Sequence, residues 1–132
     1  MDRNPARSIH PLHAALIAGA LPLVLGAFLA DIAYARSFEV QWKNFASWLI
    51  AGALVFAGCA LLWAVVDLVR FRSSRAVLYF GTLLAAWALG LVNALVHAKD
   101  GWASMPAATI LSIIVAILIT AATAFALSPG SR

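Results

Sequence analysis

Charge is scarce in this chain. Of 132 residues, nine are Lys or Arg and five are Asp or Glu, 11% in all, against about a quarter in an ordinary soluble domain. The few charges fall in short segments between long apolar runs. That distribution argues against one large soluble core and for a polytopic membrane protein. Cysteine is nearly absent. The single Cys59 sits in AGALVFAGCALLW and has no intrachain partner for a disulfide, so it reads as a small hydrophobe. No Cys/His zinc spacing, Ser-His-Asp arrangement, phosphate loop or pair of catalytic carboxylates is present. These absences make a non-enzymatic protein the better expectation. A basic face interleaved with stacking aromatics is also missing. The net charge of +4 therefore points to flanks that orient membrane spans rather than to nucleic acid.

What the chain has in quantity is apolar residues, 64% of the sequence, with a mean hydropathy of +0.97. The stretch IHPLHAALIAGALPLVLGAFLADIAY sets the pattern. Two histidines open it and an aspartate closes it. His13 and Asp31 are 18 residues apart, five whole turns, so they point the same way. At 1.5 Å per residue they are separated by about 27 Å, close to the hydrocarbon thickness of a bilayer. The face reads His10, His13, Ile17, Ala20, Val24, Ala27, Asp31. Ser8 is a candidate helix cap ahead of Pro11, which suits a first turn. Pro22 removes one backbone hydrogen bond in mid-span, as spanning helices tolerate when neighbours re-satisfy the backbone. A competing reading takes Arg3 and Arg7, the apolar run and Ala33-Tyr34-Ala35 as a cleaved signal peptide. The length of the run and the position of Asp31 argue against it.

Three more apolar runs follow, giving expected spans at 12–34, 45–69, 76–98 and 107–127 within a single transmembrane domain covering 1–132. RSFEVQWKN (36–44) is expected to be a polar loop. Trp42, Trp48 and Trp102 read as interfacial anchors. Small residues recur at every fourth position in the last two spans: Ala86, Gly90, Ala94 and Ala98, then Ala108, Ser112, Ala116, Thr120 and Ala124. Such ladders let helix backbones approach closely. The predicted fold is all-α: an integral membrane four-helix bundle running up-down-up-down. Arg3, Arg7, Arg70, Arg72, Arg75 and Arg132 share one side, against Arg36, Lys43 and Lys99 on the other. That bias places both termini in the cytoplasm.

Topology sorts the polar groups by depth. His10, His13, Asp67 and Tyr79 fall towards the cytoplasmic side, and Asp31, Asn93 and His97 towards the outer side. Tyr79 and His97 are again 18 residues apart. Ionisable groups at such depth are costly unless paired or hydrated, which makes each a candidate. Structural hydrogen-bond clusters are one reading of both sets, including an Asp31–His97 pair. A b-type haem held by His10, His13 or His97 is another. His10 and His13 cannot take opposite axial positions on one iron, so a bis-histidine site needs a second chain. A divalent metal on His10, His13 and Asp67 would be one ligand short. A quinone or lipid headgroup could hydrogen-bond to Asp31, Asn93 and His97.

The His10-Pro11-x-His13 opening, the proline-containing first span ending in Asp31, and Asn93 and His97 in LGLVNALVHAKDGWASMP resemble a family of bacterial predicted membrane proteins, domain-of-unknown-function family 2231. The resemblance covers nearly the whole chain. It implies a small four-span domain of the bacterial inner membrane with no assigned activity. Relatives fused to or encoded beside Rieske-type iron–sulfur domains and periplasmic sugar dehydrogenases imply a membrane subunit or anchor for a redox partner, with self-association possible in the bilayer. A b-type haem- or quinone-binding electron carrier is the alternative.

Overall fold

The structure is a computed structural model that describes residues 9–128. Ser8, Arg3, Arg7 and Arg132 lie outside the described residues. Four long helices account for most of the chain: α1 (Pro11–Ser37), α2 (Val40–Phe71), α3 (Ser74–His97) and α4 (Ala107–Leu127). A 3-10 turn, Gly101–Ser104, precedes α4, and the described residues contain no strand. All four helices are long and apolar enough to cross a membrane.

Each helix buries one seven-residue repeat. In α1 it is His13, Ile17, Ala20, Val24, Ala27, Asp31 and Tyr34. In α2 it is Lys43, Ala46, Ile50, Ala53, Ala57, Ala60 and Ala64. In α3 it is Tyr79, Leu83, Ala86, Gly90, Asn93 and His97, and in α4 Ala108, Ser112, Val115, Ile119 and Ala122. Spacings of three and four alternate, which is the seam of a left-handed bundle with crossing angles near 20°. Among the described residues, twelve of the twenty buried hydrophobics are alanine. The larger side chains point outward: Leu29, Trp48, Val55, Leu62, Leu95 and Ile117 are all more than 60% exposed. A thin alanine seam under a bulky apolar exterior is the reverse of a soluble bundle. It suits helices that associate by close packing inside lipid.

Each helix packs on the next, and α4 closes the ring on α1. His13 and Tyr79 meet near the starts of α1 and α3, and Asp31 and His97 meet near their ends. These diagonal helices therefore run parallel. Arg75, at the start of α3, bonds the end of α4, and Lys43, at the start of α2, bonds the carbonyl of Lys99 just past α3. So α2 and α4 run the opposite way, and the order is up-down-up-down.

Three local expectations need correction. The 36–44 segment is not a polar loop: α2 begins at Val40, and the turn is only Phe38–Glu39, with Phe38 at φ 59°. Lys43 is consequently 6% exposed and donates to the Lys99 carbonyl just past the end of α3. The cap of α1 is His10, whose Nδ1 accepts from the Leu12 N–H at 3.2 Å. The every-fourth ladder of α4 fails at its end, where Thr120 and Ala124 are exposed. Four residues turn about 400°, so such a ladder drifts about 40° per step off a fixed face. Val115, Ile119 and Ala122 take over the seam. Ala98 on α3 is exposed for the same reason.

One backbone approach depends on glycine. The Trp87 indole N–H on α3 donates to the Leu54 carbonyl on α2 at 3.2 Å. A Cβ on Gly58, one turn beyond Leu54, would stand 3.2 Å from that indole nitrogen.

Candidate functional site

The far end of the bundle, where α1 and α3 finish, holds a closed polar chain. The Asn93 side-chain N–H donates to Ser112 Oγ at 3.0 Å, and Ser112 donates to Asp31 Oδ2 at 2.6 Å. Asp31 Oδ1 faces His97 Nε2 at 2.7 Å, and His97 Nδ1 contacts the Asn93 carbonyl at 2.9 Å. Asp31 and Ser112 are fully buried, Asn93 and His97 nearly so. The heptad register places them: Asp31 lies one step before the end of the α1 seam, His97 closes that of α3, and Ser112 is the small residue opposite.

Geometry fixes most of the protons here. A carbonyl only accepts, so His97 Nδ1 carries a hydrogen. Ser112 donates to Oδ2. One proton remains to be shared between Oδ1 and Nε2. On nitrogen it makes an ion pair, on oxygen a neutral acid–imidazole pair. Either way the pair has no net charge, the condition a low-dielectric site tolerates. Only Asn93 Oδ1 is buried without a partner among the described residues. It adjoins a void of about 20 Å³.

At the near end, His13 Nε2 and the Tyr79 hydroxyl lie 2.6 Å apart, both groups buried. Trp63 stands beside them, its ring centroid 4.9 Å from His10 and 5.3 Å from His13. His10, His13, Asp67 and Tyr79 line one cavity of about 460 Å³. Two bridges, 18 residues apart in each chain segment, thus tie α1 to α3 at both ends.

The structure brings the sequence candidates together in their two groups. Both His97 nitrogens are engaged within the protein, and His10 is exposed, its Nδ1 capping α1. Among the described residues no three His, Cys, Asp or Glu side chains form a group able to hold a metal ion, so His10, His13 and Asp67 share a cavity without converging as ligands. Sequence reasoning missed Ser112 as the second partner of Asp31, having taken it only as a small residue. A serine on the seam at the depth of a buried carboxylate was the available signal. Trp63 and the carbonyl-capping roles of Lys43 and Arg75 gave no such signal.

A ring of four apolar helices, with its polar side chains turned inward and bonded across the interior, defines a multi-pass membrane protein of the four-helix-bundle type. The chain belongs to the family described as predicted membrane protein, DUF2231, which matches residues 9–130. No curated protein and no solved structure matches it.

Proposed function

We propose that the chain is a non-enzymatic subunit or anchor in the bacterial inner membrane, with both termini cytoplasmic, that holds a redox protein at the bilayer and self-associates through its apolar exterior. The observation that carries the non-enzymatic reading is the closed chain of Asn93, Ser112, Asp31 and His97. Apart from Asn93 Oδ1, those groups bond to one another, as a helix-positioning device does. A redox partner is supported by the resemblance to relatives joined to redox proteins. Orientation is supported by the charge pattern of the sequence: Arg3, Arg7, Arg70, Arg72, Arg75 and Arg132 on one side, against Arg36, Lys43 and Lys99 on the other.

The alternative, a b-type haem or quinone carrier, has His10, His13 and His97 as candidate ligands, with Asp31 and Asn93 for a quinone. It is disfavoured at His97 and Asp31, where a ligand would have to break existing bonds. Purification from native membranes in mild detergent separates the anchor from a haem carrier. The anchor reading expects a protein without haem bands that brings down a redox protein identifiable by mass spectrometry. A reduced-minus-oxidised Soret and α band lost in His13→Ala would overturn it in favour of a cytochrome.

A further inference from the structure

The two ends of the bundle are built differently. At the far end the polar groups close on one another, and only Asn93 and Ser112 among them reach the neighbouring, largely apolar void of about 20 Å³. At the near end a cavity of about 460 Å³ opens between all four helices. His10 and His13 come from α1, Trp63 and Asp67 from α2, Tyr79 from α3 and Phe125 from α4. Exposed Arg70 and Ser128 stand at its rim. The volume lies in the range of small-molecule sites, and the lining has their character: flat apolar walls with a few convergent polar groups.

The polar floor is the His13–Tyr79 pair. His13 is 3% exposed, and only its Nε2 is matched, by Tyr79. Its Nδ1 has no hydrogen-bond partner among the described residues, in contrast to His97, whose two nitrogens are both taken. The pair can therefore present an N–H or O–H donor to a ligand oxygen. The walls are rings: Trp63 against both histidines, and His13 at 5.5 Å from Tyr79. Two guanidinium groups and one carboxylate line the cavity, and both cations are engaged. The Arg75 guanidinium is committed to the Phe125 and Ser128 carbonyls, Arg70 lies over the Phe71 ring, and Asp67 shares the wall. A phosphate would meet the Asp67 carboxylate without a dedicated cation. A neutral planar ring with carbonyl acceptors meets aromatic faces and a donor.

We propose that this cavity binds the ring of a membrane quinone, with a carbonyl oxygen on the His13–Tyr79 pair and the isoprenoid tail leaving between the helices into lipid. The proposal stands apart from the anchor reading, because quinone binding produces no haem band and needs no partner protein. The test uses the full chain in phosphatidylcholine nanodiscs, titrated with decylubiquinone and followed by tryptophan fluorescence quenching. Saturable quenching is expected, losing most of its amplitude in Trp63→Phe. Affinity should fall tenfold or more in His13→Ala and in Ala76→Phe, which fills the cavity without removing a polar group, and stay unchanged in Asp100→Asn. A thermal melt confirms that Ala76→Phe folds. Quenching that rises linearly with quinone, or that is the same in Ala76→Phe, would overturn the site. Displacement of the probe by dioctanoyl phosphatidylglycerol in preference to further quinone would assign it to an anionic lipid instead.

Discussion

A buried polar side chain in lipid has few ways to be satisfied, and each of these has a named partner. Tyr79 carries one hydroxyl, and that hydroxyl is the neighbour of the His13 Nε2. Tyr79→Phe keeps the ring and its packing against His13 and removes only the bond. Its expected cost is about 1 kcal/mol, the scale of one interhelical hydrogen bond between buried groups. Thermal melting in detergent checks it, and an unchanged midpoint would mean that the bond contributes nothing. The near-end and far-end bridges lie about 27 Å apart along the helices. Tyr79→Phe and Ser112→Ala should therefore add within a few tenths of a kcal/mol in the double variant.

At the scale of the helix, stability lies in a narrow seam. Ala60 is fully buried on it, whereas Leu62 is 71% exposed. Ala60→Leu forces methylenes between backbones and is expected to cost about 1–3 kcal/mol. Leu62→Ala, two residues away on the lipid face, should shift the melt little. A reversed order would put α2 in the wrong rotation. Much of this scale was legible in the sequence. The α1 face was read residue by residue because Asp31 and two histidines marked it, and of that stripe only His10 proved exposed. The α3 face was marked in the same way by Tyr79, Asn93 and His97. The seam of α2 was not legible. Five of its seven positions are alanine, set among larger apolar residues that face lipid, so only side-chain size and not hydropathy marks the phase. Helix ends were harder still. Val40 starts α2 within a polar run, where Lys43 bonds the Lys99 carbonyl past the end of α3, a tertiary contact that local sequence does not announce.

For the whole molecule, orientation and interior follow from different physics. Charge bias sets the side, and an impermeant maleimide on spheroplasts reads it out. In a Cys59→Ala background, Asp100→Cys should label from outside and Arg70→Cys only after lysis; the opposite pattern would invert the topology. The interior is held by groups that satisfy one another, and melting of variants at Asp31 and His97 tests that most directly. Asp31→Leu alone should cost about 3–5 kcal/mol, because it strands a buried imidazole, while Glu39→Leu, at an exposed turn, should be near neutral. The Asp31→Leu/His97→Leu double variant should regain a large part of the loss, since replacing both partners by apolar groups removes the unmet bond. Costs that simply add in the double variant, or an Asp31→Leu protein as stable as Glu39→Leu, would contradict the account.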